Sequence, residues 1–225
     1  TSTAAVGYQA LTALTTGTNN TAVGYQAGDS LTTGSNNTAL GYSALGSSTA
    51  TTTTRTTAIG YNANHDKDSS YSTSVGFQAR GGSHAVTIGH NVHAGNSSVV
   101  LGSNILPTSP PNNCILLGFE AGRHLTGIAN VGIGTGALKG VSGSTSGIRN
   151  VSVGDQSSVA LTSGTRNVAI GYGAANDLTS GSYNVLIGNE AGSTLTTESN
   201  KLYIENSNST TPLIYGEFDN DIVKV

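Results

Sequence analysis

The sequence predicts an all-β fold, a repetitive parallel β-solenoid of about twelve short coils. Three observations predict it: an apolar residue followed by glycine recurs along nearly the whole chain, glycine accounts for 31 of 225 residues, and only 9% of residues are charged. Long amphipathic helices need a hydrophobic period of about 3.6 residues, and no segment shows it. The recurring Val, Ile and Leu also disfavour a disordered chain.

The spacing of the apolar-glycine pairs defines the repeat. The number of residues from one pair to the next varies moderately along the chain. Its commonest value is the separation between Gly7 and Gly24, which recurs between Gly171 and Gly188. Such self-similarity is typical of stacked structural units, so each interval is interpreted as one coil. A thirteenth step carries Glu205 in place of glycine. The glycines of the pairs, called the key glycines below, are Gly7, Gly24, Gly41, Gly60, Gly76, Gly89, Gly102, Gly118, Gly134, Gly154, Gly171 and Gly188.

The residues just before each key glycine predict a short strand. Positions three and one before the glycine alternate with a small uncharged residue, as Thr21 and Val23 do around Ala22. Such alternation is typical of a strand with one apolar face. We therefore expect the residue directly before each key glycine to lie in one interior column. That column would include Ile88, Leu101, Leu117 and Ile133.

The rest of each coil predicts a second short extended piece and a turn. Segments such as 31–34 and 161–164 place glycine where a corner can take a positive φ. Asn stands at the fourth position before six of the key glycines, and side-chain amides can form ladders between stacked strands. Those residues are Asn20, Asn37, Asn130, Asn150, Asn167 and Asn184. Because one coil cannot bury enough surface alone, stacking is obligatory and lateral association is expected.

Residues 86–102, VTIGHNVHAGNSSVVLG, resemble the head repeat of trimeric autotransporter adhesins. Copies reading N-T-A-V-G-Y-Q-A and followed by an L-T-T-G turn resemble the longer version found in phage tail fibres and large bacterial surface proteins. The resemblance covers residues 4–205. It implies a left-handed parallel β-roll in which three identical chains lie side by side around a threefold axis.

The repeat also suggests the domain organisation. Residues 1–200 are interpreted as the β-roll repeat domain, and residues 201–225 as a C-terminal cap or a transition to a following domain, because terminal repeats of solenoids are usually atypical. The chain opens on a repeat without an initiator Met. We therefore expect it to be part of a longer polypeptide.

Composition argues against several function classes. A net charge of -3 and nine dispersed basic residues disfavour nucleic-acid binding. No apolar run approaches the length of about 20 residues that a membrane span needs, so membrane insertion of this segment is not expected. Cys114 is the only cysteine, which excludes an intrachain disulfide. The twelve acidic residues are dispersed, and glycosidases need a paired acid and base. We expect no catalytic residue, no cofactor and no metal, and hence not an enzyme.

Aromatic residues directly follow seven of the key glycines, and stacked coils would bring them into one row. Such a row has two interpretations, a sugar-binding strip or rings that stack between coils and stabilise the roll. Stacking is favoured, because aromatic pairs contribute about 0.5–1.5 kcal/mol each. The seven residues are Tyr8, Tyr25, Tyr42, Tyr61, Phe77, Phe119 and Tyr172.

Other polar residues are candidate sites. His84, His90 and His93 lie close in sequence, and around a threefold axis their imidazoles would be tripled and able to bind a transition metal. Surface placement is the favoured alternative. Asp66 and Asp68 are interpreted as a solvated loop, since a calcium site needs more converging ligands. The irregular coils at 42–59, 103–117 and 135–153 are candidates for recognition, because rigid scaffolds commonly carry binding on loops.

These observations favour an extracellular structural or adhesive segment of a trimeric fibre, in a viral tail fibre or a bacterial surface adhesin. Its partners would be its own copies and a surface glycan or cell-surface receptor, or it would act as a rigid spacer. Two alternatives are an ice-binding solenoid and a polysaccharide-degrading tailspike. The first is disfavoured because the Thr residues of the strands are expected to face the core. The second is disfavoured by the lack of acidic pairs.

Overall fold

The computed structural model of the chain is all-β, a parallel solenoid of about 11 turns, which confirms the predicted fold class at a count close to the expected twelve. The described residues are 2–46, 51–64, 69–107, 109–143 and 145–225. Within them there is no helix, and hence none long and apolar enough to cross a membrane. The chain divides into two compact units, residues 1–103 and 104–225, called the N-terminal and C-terminal units below.

The N-terminal unit contains short parallel strands, one in each coil. Their register pairs Val6 with Val23 and Val75 with Ile88, so the alignment of repeats seen in the sequence is the hydrogen-bonding register. A further strand, β7 (Val99–Ile105), contains the boundary between the units. The others are β1 (Ala4–Val6), β2 (Thr21–Val23), β3 (Thr38–Leu40), β4 (Thr57–Ile59), β5 (Thr73–Val75) and β6 (Val86–Val92).

The C-terminal unit continues the pattern and then changes direction. Its parallel strands are β8 (Ile115–Phe119), β9 (Val131–Ile133), β10 (Val151–Val153), β11 (Val168–Ile170), β12 (Val185–Ile187) and β13 (Lys201–Ile204). After β13 the chain turns back into the antiparallel strands β14 (Ile214–Glu217) and β15 (Ile222–Lys224). Parallel stacking therefore ends inside the region expected to be a cap.

Most of the key glycines directly follow a strand, whereas those in β6, β7 and β8 lie within it, and the backbone requires glycine at these positions. At Gly171 φ is +138°, and a Cβ would lie 2.1 Å from the carbonyl oxygen of Gly188 in the next coil. The corner glycines behave differently from the expectation. Gly164 has no positive φ, but a Cβ there would lie 2.3 Å from the carbonyl oxygen of Gly181. Close approach between coils, and not backbone handedness, requires glycine at that corner.

In most coils the predicted second extended piece is not a strand, but in two coils the strands β6 and β7 continue past their key glycines. In its place the chain makes successive turns through residues in the left-handed region, such as Asn36 (φ 61°) before the strand and Leu45 (φ 51°) after it. Most of these residues are not glycine, although a residue held in that region costs about 1–3 kcal/mol. Bonds between successive coils stabilise the turns, for example the N–H of Leu45 donating to the carbonyl of Ala63 at 2.9 Å.

The interior is narrow and is filled from two sides. In several coils the middle residue of the strand and a residue six positions later both face inward, and where one of them is a leucine the other is glycine or alanine. Leu186 is fully buried opposite Gly192, where an added Cβ would lie 2.7 Å from the Leu186 side chain. In another coil Gly132 lies in the strand and buried Leu138 fills the space. Where both residues of a pair are small, leucines from the turns complete the close packing.

The expected interior column of residues before the key glycines is wrong. These residues stack in register but lie on the outer side of the strands, where Ile88 is 42% and Ile170 39% exposed. The small residues between the alternating positions, such as Ala39 and Ala169, are buried instead. The reason is interior volume: leucines from the turns, such as Leu178, occupy the interior.

Candidate functional site

One repeated surface is the outer strand face, defined as the residues three and one before each key glycine. In the C-terminal unit both rows are apolar, and they are exposed or half-buried from Ile115 and Leu117 to Val185 and Ile187. No charged residue interrupts the two rows in β8–β12. A contiguous apolar surface of this kind is typical of an interaction surface.

The same face differs in the N-terminal unit. The row three before the key glycine carries Thr21, Thr38, Thr57 and Thr73, which pair in register along β2–β5 and are exposed or half-buried. The expectation that these Thr residues face the core is therefore wrong. Hydroxyl and methyl groups instead form a regular outward ladder beside the row of Val, Leu and Ile.

The predicted Asn ladder is confirmed, and it lies inside the coils. In the C-terminal unit Asn167 donates from Nδ2 to Oδ1 of Asn150 at 3.1 Å and to the carbonyl of Gly181 at 2.9 Å. Its own Oδ1 accepts the backbone N–H and the Nδ2 of Asn184, both at 3.0 Å. Cys114 takes the ladder position before Asn130, and burial raises the pKa of its thiol. The ladder satisfies buried polar groups at every step.

The predicted aromatic row is confirmed in the N-terminal unit, where it forms a continuous stack that we call the aromatic column. Ring centroids of neighbours lie 5.0–5.2 Å apart, with planes 9–17° from parallel. The column consists of Tyr8, Tyr25, Tyr42, Tyr61, Phe77 and His90. Each inner ring is covered on both faces by its neighbours, so ring edges and hydroxyls meet solvent. This disfavours sugar binding by stacking on the ring faces.

Phe119 and Tyr172 do not extend the column. The residues that follow the next key glycines are Thr135 after Phe119 and Asn189 after Tyr172, and neither has a ring. Both aromatic residues are about half exposed, at 49% and 51%. The row predicted from seven aromatic residues is therefore continuous only up to residue 90.

The three histidines do not converge on a metal site within one chain. His84 stacks on Tyr71 with ring centroids 4.9 Å apart, whereas His90 belongs to the aromatic column. Arg55 covers the other side of Tyr71, with its guanidinium carbon 5.2 Å from the ring centroid. Among the residues that the structure describes, no group of three or more His, Cys, Asp or Glu side chains could hold a metal ion.

One charged cluster lies beside β8. Glu120 forms ion pairs with Arg123 and with Lys139, whose Nζ lies 2.7 Å from Oε2. The hydrogen bond from Lys139, together with the charges of both bases, holds the pKa of Glu120 below its ordinary value. Asn104 donates a further hydrogen bond at 2.8 Å. A carboxylate kept ionised in this way suits structural pairing and not proton donation.

The sequence missed one pair of acids. Asp177 and Glu190 line a shallow depression of about 200 Å³ together with Tyr172. They belong to different repeats, and only the stacking of two coils brings them to one surface. A signal existed in the repeat alignment, since each acid stands a few positions after its own key glycine, Gly171 for Asp177 and Gly188 for Glu190. Asp66 and Asp68 lie outside the described residues.

A second cavity lies in the C-terminal hairpin region. It measures about 500 Å³ and is lined by Tyr203, Tyr215, Glu217 and Lys224 among others. Hydrogen bonds from Tyr215, Asn220 and Lys201 lower the pKa of Glu217 to about 2. The side chain of Lys201 lies 3.3 Å from Oε1 of Glu217. These groups bond one another, and they join β13 to the hairpin.

The irregular coils carry exposed apolar side chains. Leu106, at 41% exposed, lies in the segment 103–117, and Val141, at 48%, lies in 135–153. In the second segment Oγ1 of Thr145 accepts the N–H of Val141 at 2.9 Å, which closes the inserted loop. The third segment, 42–59, is described except for residues 47–50. Within the described parts of these loops, no ionisable cluster that could hold a metal is brought together.

No protein-family model, no curated protein and no solved structure matches this chain.

Proposed function

We propose that this chain is a structural or adhesive segment of a trimeric extracellular fibre, of the kind found in viral tail fibres or bacterial surface adhesins. Its coils would form a left-handed roll, and three parallel copies would pack around a threefold axis. The observation that carries the proposal is the outer strand face, where two rows of branched apolar residues run through β8–β12 without a charge.

Lateral association follows from the exposure of that face. Ile115 is 41% and Ile170 39% exposed, and their neighbours in the two rows are half-buried. Burying apolar surface contributes roughly 25 cal/mol per Å², and the gain repeats in every coil. Identical chains most simply cover such a face by closed rotational symmetry. Assembly therefore stabilises the fibre through the face that a single chain leaves in contact with solvent.

An attachment or spacer role suits the distribution of polar groups. The repeated features are ladders of Asn, Thr and Tyr, which spread similar chemistry over many coils. The described carboxyl groups with lowered pKa, including Glu120 and Glu217, are held ionised by bonds from neighbours. A glycosidase acid needs the opposite shift. We infer a binding or spacing function without turnover.

The assembly is tested with Ile170→Asp, which places a carboxylate on the outer strand face. The control is Ser163→Asp, which adds the same charge at an exposed turn of the same unit. Light scattering should give three chains for the unchanged protein and for Ser163→Asp. Ile170→Asp should give single chains with retained β circular dichroism. A folded, monomeric parent protein would contradict the proposal.

Attachment is tested by glycan-array and whole-cell binding beside a polysaccharide-hydrolysis assay. Binding without hydrolysis supports an adhesive segment, and neither activity leaves a spacer. Hydrolysis that is lost on changing Asp177 or Glu190, the paired acids of the surface depression, would overturn both roles and support a tailspike.

A second candidate function is ice binding, and the Thr ladder of β2–β5 favours it. Regularly spaced hydroxyl and methyl groups face outward there, beside Val23 and Leu40. Thermal hysteresis of the purified chain tests this function, with Thr38→Lys on the ladder and Thr16→Lys on an exposed turn as the matched control. Hysteresis that only Thr38→Lys removes would establish ice binding, and its absence in the parent would exclude it.

A further inference from the structure

The aromatic column contains four successive tyrosines whose hydroxyls meet solvent. Tyr8, Tyr25, Tyr42 and Tyr61 are 42–64% exposed, and each lies one coil from the next. The three ring-centroid distances between neighbours are 5.2, 5.0 and 5.1 Å. The rings therefore combine access for a soluble reagent with a fixed neighbour of the same chemistry.

We propose that the aromatic column is an oxidative modification site, at which a one-electron oxidant joins tyrosines of adjacent coils as dityrosine. A peroxidase with hydrogen peroxide is an oxidant of the required class. The product is a covalent bond between coils that the backbone connects only through one whole turn of the solenoid.

The chemistry balances without any further group. Each of two phenols loses one electron and its hydroxyl proton, which gives two phenoxyl radicals with spin on the carbons ortho to oxygen. A carbon–carbon bond forms between one ortho carbon of each ring, and each of these carbons then releases its proton as the phenols reform. Two hydrogen atoms leave in total, and one hydrogen peroxide is reduced to two waters.

Proximity makes the coupling selective for neighbouring tyrosines of the aromatic column. Coupling of two free phenoxyl radicals requires an encounter, whereas held neighbours react as one molecule with a high effective concentration. The rings are 42–64% exposed, so their outward edges have room to tilt toward each other. Tyr172 and Tyr183 are equally exposed, at 51% and 49%, but none of the stacked pairs among the described residues joins either to a second tyrosine.

Replacing alternate tyrosines of the aromatic column by phenylalanine provides a matched test. Tyr25→Phe with Tyr61→Phe leaves Tyr8 and Tyr42, which are two coils apart, so no adjacent phenol pair remains. The control, Tyr8→Phe with Tyr61→Phe, leaves the adjacent pair Tyr25 and Tyr42. Both variants keep every ring of the stack and the same number of tyrosines. Circular dichroism verifies that both fold as the parent does.

The experiment treats the full chain, in its solution assembly, with peroxidase and hydrogen peroxide. Dityrosine is measured by its blue fluorescence and by mass spectrometry of cross-linked peptides. The parent and the control should form it within single chains, and the alternating variant should form roughly ten-fold less. Equal yields in both variants, cross-links dominated by Tyr172 or Tyr183, or cross-links only between chains would each overturn the proposal.

Discussion

The two units build the same repeat with different side-chain ladders. The N-terminal unit stacks aromatic rings on its surface, from Tyr8 to His90, and its described residues provide two Asn rungs inside. Beyond Asn37 the ladder position holds Thr56, whose N–H bonds to the Asn37 side chain. Among its described residues the C-terminal unit has no aromatic column but four Asn rungs, from Asn130 to Asn184.

This difference shows which parts of the repeat are exchangeable. Each ladder joins one coil to the next and lies at its own fixed distance from the key glycine, so a coil can carry either ladder or both in the same backbone register. The key glycine itself is common to both units, because the next coil's carbonyl occupies the space of a Cβ. Sterics fix the repeat, and the ladders stabilise it.

The largest effect should come from the feature that both units share. Gly24→Ala and Gly171→Ala place a Cβ 2.4 and 2.1 Å from a carbonyl oxygen of the next coil, at φ of +137° and +138°. Each should lower the free energy of unfolding by on the order of 4 kcal/mol or more, or prevent folding. Denaturant-induced unfolding measures this change in the free energy of unfolding.

The control for that prediction is Gly173→Asn, close to Gly171 in the same coil. Its φ of +59° tolerates Asn, and an added Cβ meets only the Cγ of Glu190 at 3.4 Å. A mild effect of Gly171→Ala, comparable to this control, would show that the coils can separate and would contradict the steric argument.

The interior ladder should be second in effect. Asn167→Ala removes two donated and two accepted hydrogen bonds, and the Asn residues of this ladder are 2% exposed or less. A loss of about 2–4 kcal/mol is expected, because buried partners are left unsatisfied at roughly 1–3 kcal/mol each. Asn176→Ala, at a half-buried surface position of the same unit, should change stability by less than about 0.5 kcal/mol. Equal losses of stability in the two variants would contradict a stabilising role for the buried Asn ladder.

The aromatic column should contribute less to stability than the Asn ladder. Tyr42→Ala breaks two stacks, with ring centroids 5.0 and 5.1 Å apart, and should cost about 1–3 kcal/mol beyond the lost burial. Tyr172→Ala removes an equally exposed ring with no stacked partner among the described residues, and serves as the comparison in the other unit. If the two variants lose the same stability, stacking is not what the column contributes.

The smallest effect concerns pH and the C-terminal hairpin alone. The pKa of Glu217 is lowered from 4.5 to about 2 by bonds from Tyr215, Asn220 and Lys201. The stability that the ionised Glu217 carboxylate gives to the hairpin is therefore present above pH 4.5 and is lost as the pH falls toward 2. The protection factors of the β14 amides, which are exchange rates corrected for the intrinsic pH dependence of amide exchange, should fall over that range, and Glu217→Gln should remove this fall. An unchanged fall in the variant would assign the pH dependence to another group.

The sequence by itself determined the repeat, its register and two of its ladders. Glycine and Asn positions carry this information because a close backbone approach admits only glycine and a stacked amide bonds its own copy. The register of Val23 on Leu40 and the bonding of Asn37 to Asn20 were both evident from spacing alone.

Only the tertiary structure decided which side of each strand faces inward. In Thr38-Ala39-Leu40 both faces are uncharged, and the hydrophobic pattern places Leu40 inside, yet Ala39 is buried and Leu40 is 46% exposed. Leucines such as Leu45 reach the interior from turns that the sequence did not place, and they leave room only for a small residue in the strand. The interior volume depends on the side chains of the whole coil, so the local alternation of residues along one strand cannot predict it.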